Sequence, residues 1–573
     1  MNKFLRTLAL AISLSTFLFL NSAQAAAQPD DLIFEGGLVV DGSGSPGFRG
    51  DVAVRDGHIS GIGTLSENRK TAAKRRIDAR SLTVTPGFID LLGQSEYNVL
   101  VDPRAASKIT QGITTEITGE GSSIAPTKPS VISAGEDTWK RYGVRPDWTN
   151  FTGYFAAFRR KGAAINLGTC VGLGTVRSLV IGEQNRRATP DELEKMQAIV
   201  DQSMREGVLG VSTALEYVPD MYNSTEEIIA MAKVAARYGG IYFTHQRSES
   251  DQIDASLDEV FRIAREAHIP ANIWHLKTSH KSNWGRMPHV LDRIEKARAE
   301  GLDVAANQYP WSAAENGIVA NMPEWMQEGG TDKLLSRLAD PVQRQRARND
   351  ILNGTDKWEN EYLGAGGPTG VMIATVLNPN LKKYEGMTIA EIAAEQKKDP
   401  VDALMDFIIA DKGASQNIIF VMNEDDVRAA LKHRLVAFCT DSAAEAEDGI
   451  FSQEKSHPRG WASTAQILSK YVRDEKLLPL EEAVRKMTSL GAARAHLFDR
   501  GLLREGMAAD IVAFDLANVA VHSTYADPIH YSTGIPYVAV NGALVVDNGK
   551  ITDSRPGQIL LGPGFNPGSA GPR

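Results

Sequence analysis

Short apolar runs alternate with helix-like segments through the middle of the chain. The runs begin about 30 residues apart, the length of one strand-helix unit; they are LGVST (209–213), IYFTH (241–245), ANIWH (271–275) and DVAAN (303–307). A capping box, Ser224-x-x-Glu227, opens the helix between the first two. This repetition predicts an α/β fold, a TIM-like (β/α)₈ barrel over residues 85–500. A doubly wound sheet is the alternative, but no glycine-rich phosphate fingerprint follows a strand.

Both ends of the chain show strand patterning with tight turns. Apolar runs between residues 31 and 84 are separated by Gly-Gly, Gly-Ser-Gly-Ser-Pro-Gly and Asp-Gly, which are hairpin signals. Asn541-Gly542, between two β-branched runs, predicts another hairpin. We expect residues 26–84 and 501–573 to form one small β domain. The stretch 315–380 is longer than a barrel loop requires and predicts an insertion that covers the pocket.

The N-terminus has the pattern of a secretory signal peptide. Lys3 and Arg6 precede a mostly apolar run from Leu8 to Leu20, and Ala23-Gln24-Ala25 fits the small-x-small cleavage rule. The sequence therefore predicts removal of residues 1–25 and a secreted or periplasmic protein. A membrane anchor is the alternative, but the run is shorter than the ~20 residues of a span, so we expect no stable anchor.

Composition narrows the class of function. The 573 residues are 42% hydrophobic and 23% charged, as in ordinary globular proteins. A net charge of −9 argues against a nucleic-acid partner and leaves a small-molecule substrate. Cys170 and Cys439 lie in apolar runs, which predicts buried thiols rather than a disulfide framework. The oligomeric state stays open.

Polar side chains close several predicted barrel strands. His245 ends IYFTH, His275 ends ANIWH, and Asp441 follows the apolar run RLVAFCT. Neighbouring strands lie about 4.8 Å apart, so both imidazoles can reach one ion, and a nearby carboxylate suits proton transfer. Alone, either histidine fits an ordinary loop or core residue; their matched placement favours metal ligands. The earlier run TPGFIDLLGQSE ends in Gln94 and Glu96 without a histidine.

Ordered motifs cover nearly the whole mature chain. Among them are TPGFID, LVDPRAASKITQGITTEITGEG, GVSTALEYVPDMYNSTEE, YFTHQRSES, WHLKTSHKSNWG, NQYPW, FCTDSAAE and SHPRGWASTAQIL. In content and order they resemble the N-acyl-D-amino-acid deacylase (D-aminoacylase) family of the amidohydrolase superfamily. The resemblance implies a metal-bearing (β/α)₈ barrel with a small β-sandwich domain formed by both termini.

The resemblance also implies a ligand set, with two departures. Family members usually carry His-x-His after the first strand, where this chain has Leu92 and Gln94. The family's cysteine ligand is replaced by Glu120 in Gly119-Glu120-Gly121. Glu120, His245 and His275 are then the expected ligands of one Zn²⁺, with one tetrahedral position open. We expect Gln94 to form a hydrogen bond at the barrel mouth.

The implied reaction is hydrolysis of an amide. Asp441 would take the proton of the attacking water and return it to the leaving amine. Lys277 and Tyr309 match family positions that hold the substrate carboxylate. Four further residues match family motifs and are expected to support the site indirectly: Arg247, Glu249, His457 and Arg459.

Several pocket positions depart from the family pattern. Asn307 stands where an aspartate is frequent, Leu173 where a histidine is frequent, and Trp311 replaces a tyrosine. Glu315 falls near a position that is usually a serine contacting the substrate carboxylate. A glutamate there repels a carboxylate, so these departures affect which carboxylic acid substrate the pocket can bind.

We therefore expect a secreted zinc amidohydrolase that splits N-acyl amino acids, of D configuration, into a carboxylate and a free amino acid. Hydrolysis of dipeptides, cyclic amides or lactones is the alternative within enzymes. A metal-free binding protein is the alternative of another class. The missing His-x-His pair favours that alternative, whereas His245, His275, Asp441 and Glu120 count against it.

Overall fold

The computed structural model describes residues 28–354 and 358–566. The predicted signal peptide, residues 1–25, lies outside these ranges. Across the two described ranges, no helix combines the length and the apolar character that crossing a membrane requires.

Eight parallel strands form a closed barrel. In chain order they are β1 (Phe88–Asp90), β2 (Ile113–Thr118), β3 (Asn166–Thr169 and Val171–Gly172), β4 (Gly210–Ala214), β5 (Ile241–His245), β6 (Ala271–Ile273), β7 (Val304–Gln308) and β8 (Val436–Phe438). Each pairs with the next in parallel. The ring closes where Leu91 N donates to Phe438 O at 3.3 Å and Gly93 bridges Ser442. The predicted barrel is confirmed, and closure excludes the doubly wound alternative.

Burial explains why these runs became strands. Every residue of β2 is buried, as expected for a parallel strand covered on both faces.

The longer helices around the barrel are Phe151–Lys161, Leu173–Val180, Pro190–Glu206, Thr225–Ala236, Ile253–Ala267, Met287–Ala299, Arg459–Gln466 and Leu480–Met487. Shorter helices are Asn98–Val101, Ala106–Ile109, Pro129–Ala134, Glu136–Tyr142 and Ser489–Arg494. The predicted capping box is present: Ser224 Oγ accepts from Glu227 N, and the Glu227 carboxylate accepts from Ser224 N.

One nine-stranded sheet joins the two ends of the chain. It contains Leu32–Val39, Phe48–Arg55, His58–Gly63, Arg76–Asp78, Thr83–Pro86, Ile511–Phe514, Tyr537–Val540, Ala543–Asp547 and Lys550–Ile551. The two halves meet where Thr83–Pro86 pairs antiparallel with Ile511–Phe514. The predicted hairpin at Asn541-Gly542 is confirmed; both residues have positive φ, 46° and 83°, as a type I′ turn requires.

The chain makes a long excursion between β7 and β8. A three-stranded antiparallel sheet forms there from Ala314–Gly317, Val371–Ile373 and Gln416–Ile419. Its helices are Glu324–Gln327, Thr331–Ala339, Pro341–Asn353, Glu361–Gly364, Ile389–Gln396, Pro400–Ala410 and Glu424–Lys432. The predicted insertion, residues 315–380, falls inside this excursion. Because β7 ends at the barrel mouth, the excursion begins beside the strand ends.

Candidate active site

Three side chains converge at the carboxyl ends of β2, β5 and β6. His245 is the last residue of β5, and Glu120 and His275 follow the ends of β2 and β6. Glu120 Oε1 lies 2.8 Å from His275 Nε2 and 3.4 Å from His245 Nδ1. One ligand atom from each residue lies within 4.8 Å of the others. The structure therefore brings the predicted trio to one point.

The backbone beside Glu120 requires glycine. Gly119 has a φ of 93°, and a Cβ there would lie 2.4 Å from Cys170 O. Gly121 has a φ of 58°, and its Cβ would lie 2.4 Å from Ala214 Cβ. Glycine at both positions lets the turn approach β3 and β4 closely. His275 also has a positive φ, 34°, the kind of backbone strain that is concentrated at functional sites.

Two further carboxylates flank the imidazoles. Glu216 Oε2 lies 2.8 Å from His245 Nε2, and Glu249 Oε1 lies 3.0 Å from His275 Nδ1. Each imidazole thus turns one nitrogen toward Glu120 and the other toward a second acid. At His245 this is the carboxylate–histidine arrangement that fixes the tautomer of a metal-binding histidine, whereas His275 Nδ1 also has Lys277 Nζ at 2.8 Å.

Charge around the imidazoles favours a cation between them. Burial opposes protonation of His245, but Glu249, Glu120 and Glu216 outweigh it and raise the pKa of that imidazole well above its usual value. Burial likewise opposes ionisation of Glu120, yet His275 and His245 hold the pKa of its carboxyl well below the ordinary range. The cluster therefore holds a carboxylate and attracts positive charge.

The donor set fits zinc. One carboxylate and two imidazoles supply three of the four ligands of a tetrahedral zinc site and leave one position open for reaction. Leu92, at the first position of the family's His-x-His pair, is fully buried and apolar, so it offers no ligand. Gln94, at the second, donates from Nε2 to Glu120 Oε2 and to Asp441 Oδ1, both at 3.1 Å.

Asp441 lies beside the trio, just after β8. Its Oδ2 is 2.6 Å from an Arg459 nitrogen, and its φ is positive, 53°. Burial raises the pKa of the Asp441 carboxyl, and Arg459 and His275 only partly oppose the rise. A carboxylate with a raised pKa takes up a proton more readily, which suits a group that accepts and then returns one.

A buried ion cluster holds the backbone on both sides of Asp441. Lys108 Nζ donates to Thr440 Oγ1 and to Ser442 O, each at 2.7 Å, and to Asp90 Oδ2 at 2.8 Å. All three donors of the ammonium group are therefore used. Sequence reasoning missed Lys108, because only the closure of the barrel brings β1 and β8 together.

Lys277 and Tyr309 line the same cavity, but their polar ends are engaged. Lys277 Nζ donates to Glu249 Oε2 at 2.6 Å and lies 2.8 Å from His275 Nδ1. The Tyr309 hydroxyl faces Met422 Sδ at 3.4 Å, and its ring packs 4.8 Å from the Arg459 guanidinium carbon. In this conformation Glu249 neutralises the charge of Lys277, the residue that was predicted to hold the substrate carboxylate.

Arg459 connects Asp441 with Glu315. One guanidinium nitrogen donates to Glu315 O at 3.3 Å and lies 3.9 Å from Glu315 Oε2. Burial raises the pKa of Glu315 to about 7 although Arg459 opposes the rise. Glu315 thus faces the cavity as an acid that can be neutral near physiological pH.

The remaining predicted residues, Arg247 and His457, lie outside the trio. Arg247 binds the Glu259 carboxylate and the carbonyls of Met221 and Asn223. His457 Nε2 lies 3.0 Å from Ala313 O. Burial holds the pKa of His457 well below its usual value, so its neutral form anchors the start of the excursion.

The departures Asn307, Trp311 and Leu173 are all buried. Asn307 Oδ1 accepts from His275 N at 2.6 Å, so it positions a proposed ligand. Trp311 Nε1 donates to Ser463 Oγ at 3.2 Å. Leu173 begins the helix after β3.

A cavity of about 260 Å³ opens onto the trio. Its wall includes Gln94, Glu120, His275, Asp441 and Arg459, together with Ala314–Gly317 from the excursion. Sequence reasoning missed Glu216 and Glu361, which also line it. Glu216 follows the end of β4, so the pattern that identified His245 could have found it.

A model of the amidohydrolase family matches residues 75–546. The chain belongs to the amidohydrolase family. The D-aminoacylase of Alcaligenes xylosoxydans xylosoxydans is 34% identical over 94% of this chain and 99% of its own length. These matches confirm the expected family and the expected enzyme class, and they count against the alternative of a metal-free binding protein.

Two solved structures resemble this amidohydrolase over its length. A D-aminoacylase described with a binuclear metal centre, with one-metal activation and second-metal attenuation, gives a TM-score of 0.74 at 32% identity, covering 93% of this chain and 100% of its own. An N-acyl-D-glutamate deacylase from Bordetella bronchiseptica, complexed with zinc and a phosphonate mimic of the tetrahedral intermediate, gives 0.77 at 29%, with the same coverage.

Proposed function

We propose that this amidohydrolase cleaves the amide bond of N-acyl-D-amino acids and uses one zinc ion held by Glu120, His245 and His275. The observation that supports this most is the placement of Asp441 beside that trio, with Gln94 Nε2 3.1 Å from both acids. The substrate class is supported by the deacylase relatives, and the metal by the zinc complex of one of them.

The protein's residues divide the work of hydrolysis. Zinc at the trio would supply a Lewis acid that polarises the amide carbonyl and favours loss of a proton from water. Asp441 accepts that proton and returns it to the leaving amine. Glu216 holds the His245 imidazole in one tautomer, Glu249 holds Lys277 beside His275, and Gln94 keeps Asp441 close to Glu120.

The charges around the cavity favour substrates whose side chain is neutral. Glu249 engages Lys277, and Asp441 engages Arg459. Glu315, Glu216 and Glu361 add further acids to the wall. An acidic D side chain would meet these carboxylates, so we propose a preference for neutral D-amino acids over D-aspartate and D-glutamate.

A substrate panel tests this proposal. N-acetyl derivatives of D-methionine, D-leucine, D-aspartate and D-glutamate, their L counterparts, dipeptides and cyclic amides would be supplied to the zinc-loaded protein, with Asp441→Asn as the blank. We expect release of free neutral D-amino acids above the others. Hydrolysis of dipeptides or cyclic amides, with no release from any acyl amino acid, would overturn the assigned reaction.

We also propose that the protein is exported, because residues 1–25 have the signal-peptide pattern. Expression of the full chain and of a chain lacking residues 2–25 in a bacterial host would test it. The full chain is expected in the periplasm or medium with a new N-terminus near Ala26. Retention of both chains in the cytoplasm would contradict export.

A further inference from the structure

A second group of metal-ligating side chains lies beyond Glu216. It consists of His280, from the loop after β6, and Glu359 and Glu361, from the excursion. Glu361 lines the active-site cavity, whereas His280 and Glu359 line a neighbouring cavity of about 520 Å³. Glu216 lines both cavities. The group therefore stands in the wall that separates the two.

The three residues present ligand atoms to one another. One imidazole nitrogen and one carboxylate oxygen from each glutamate lie within 4.8 Å of each other, and His280 Nε2 is 3.8 Å from Glu361 Oε2. His280 and Glu361 are only 7% and 4% exposed. Within the described ranges, His280 Nε2, Glu359 Oε2 and Glu361 Oε2 have no hydrogen-bond partner. Buried polar atoms are normally paired, so three free atoms in one place indicate a missing ligand.

The structure holds Glu359 so that one oxygen is anchored and the other is free. Its Oε1 accepts from Glu249 N at 2.9 Å, from Ser250 N at 3.1 Å and from Ser250 Oγ at 2.7 Å. Ser248 Oγ donates to the same oxygen. This carboxylate is thus oriented by four donors before any cation binds.

His280 is equally constrained. Its φ of 69° lies in the left-handed region, which few residues other than glycine adopt. A Cβ at Gly364 would lie 2.1 Å from His280 Cδ2, so only glycine there leaves room for the ring. The loop and the helix Glu361–Gly364 therefore fit around this imidazole.

Three acids stand close together around this wall. Glu361 lines the active-site cavity with Glu216, and Glu359 lines the neighbouring cavity with the same Glu216. Carboxylates buried together are costly unless a cation balances them or they take up protons. Lys277 and Arg459 are already engaged by Glu249 and Asp441.

We propose that His280, Glu359 and Glu361 bind a second divalent metal ion, of the zinc type, at a site separate from Glu120, His245 and His275. An imidazole with two carboxylates is a ligand set that suits zinc. The ion would tie the excursion to the loop after β6 and so fix one wall of the active-site cavity. The proposed second site does not involve Leu92 or Gln94.

Metal stoichiometry tests the proposal. The full chain would be loaded with ZnCl₂, freed of loose metal by gel filtration and measured by elemental analysis, with circular dichroism as the check on folding. We expect two zinc ions per chain in the wild type and one in Glu359→Gln, Glu361→Gln and His280→Gln. His289→Gln, which changes a half-exposed histidine bonded to Asp254, is the matched control and keeps two.

His275→Asn separates this proposal from the zinc site of the proposed function. That variant is expected to keep one zinc, and the double variant His275→Asn with Glu359→Gln none. One zinc in the wild type and none in His275→Asn would overturn the second site while leaving the first intact. Two zinc ions in a folded Glu359→Gln variant would also overturn the proposal, because the second ion would then be bound at an adventitious surface site.

Discussion

Two groups of buried acids lie at the same end of the barrel, and they differ in where their positive charge comes from. Asp90 and Glu116 surround Lys108, which is fully buried and lies 2.8 and 3.3 Å from their carboxylates. Glu120, with Glu216 and Glu249 behind the imidazoles, faces a cavity instead. Lys108 serves both acids of the first group, whereas in the second Lys277 pairs with Glu249, and Glu120 and Glu216 face only the imidazoles and the metal ion that we propose.

Hydrogen bonding shows the same difference. Both Glu116 oxygens accept from Ser95, at 2.8 Å each, and Lys108 uses all three donors, so the first group is closed. In the second, His245 and His275 each turn a nitrogen toward Glu120. The first group holds the backbone around Asp441, and the second is the place where we propose that the metal ion binds.

The largest expected effect comes from Asp441. Replacing it by asparagine keeps the shape but removes the proton acceptor, so turnover should fall by about 10²–10⁴-fold, the range of general acid–base contributions. Zinc content should not change, because Asp441 is outside the trio. The readout is steady-state hydrolysis with elemental analysis, and the exposed Asp258→Asn is the control. Loss of zinc in Asp441→Asn would place that residue among the ligands.

Removing the buried cation of Lys108 should make the protein easier to unfold. Lys108→Met leaves Asp90 and Glu116 buried without their partner, a change that costs about 3–5 kcal/mol in comparable pairs. Chemical unfolding of the metal-free protein measures it. Lys74→Met, which breaks an exposed pair with Asp31, should change the midpoint little. An equal effect of both variants would remove the distinction between the closed cluster and a surface pair.

Glu315 and Asp441 share one cation, Arg459, so Glu315 tests how an acid behaves when its cation is shared. Because the pKa of its carboxyl rises from 4.5 to about 7 in the folded protein, its contribution to stability is full below pH 4.5 and is lost as the pH rises to about 7. That shift corresponds to about 3 kcal/mol. Glu315→Gln should therefore raise the unfolding midpoint at pH 8 and leave it unchanged at pH 4. The exposed Glu266→Gln serves as control. Destabilisation of the Glu315→Gln variant at pH 8 would contradict the raised pKa of Glu315.

The smallest expected effect concerns the acids behind the imidazoles. Glu216→Gln and Glu249→Gln keep the shape but remove a negative charge beside each ring, and loss of such outer partners typically lowers metal affinity 10–100-fold. Competition with a chelator of known affinity measures the loss, and the exposed Glu226→Gln provides the baseline. Unchanged affinity in both variants would show that Glu120 alone orients the site.

The repeat of strands was readable from sequence because a barrel imposes one spacing and directs all carboxyl ends to one mouth. His245, His275 and Asp441 could therefore be placed together before any contact was known. Glu120 needed the family resemblance, since a glutamate between glycines in a turn is ordinary.

Contacts that depend on closure or on the excursion could not be read in that way. Lys108 meets Thr440 across 332 positions of sequence, and no local pattern fixes such a pair. The same holds for Glu361, which reaches Glu216 from the excursion. Lys277 was predicted to hold a substrate, but its ion pair with Glu249 follows from how the loops after β5 and β6 pack.

Anomalous X-ray scattering from crystals of the zinc-loaded protein, recorded at the zinc absorption edge, tests the central claim most directly. We predict a peak about 2.0–2.2 Å from a Glu120 oxygen, from His245 Nδ1 and from His275 Nε2. No peak between these three atoms in fully loaded crystals would contradict the assigned zinc site.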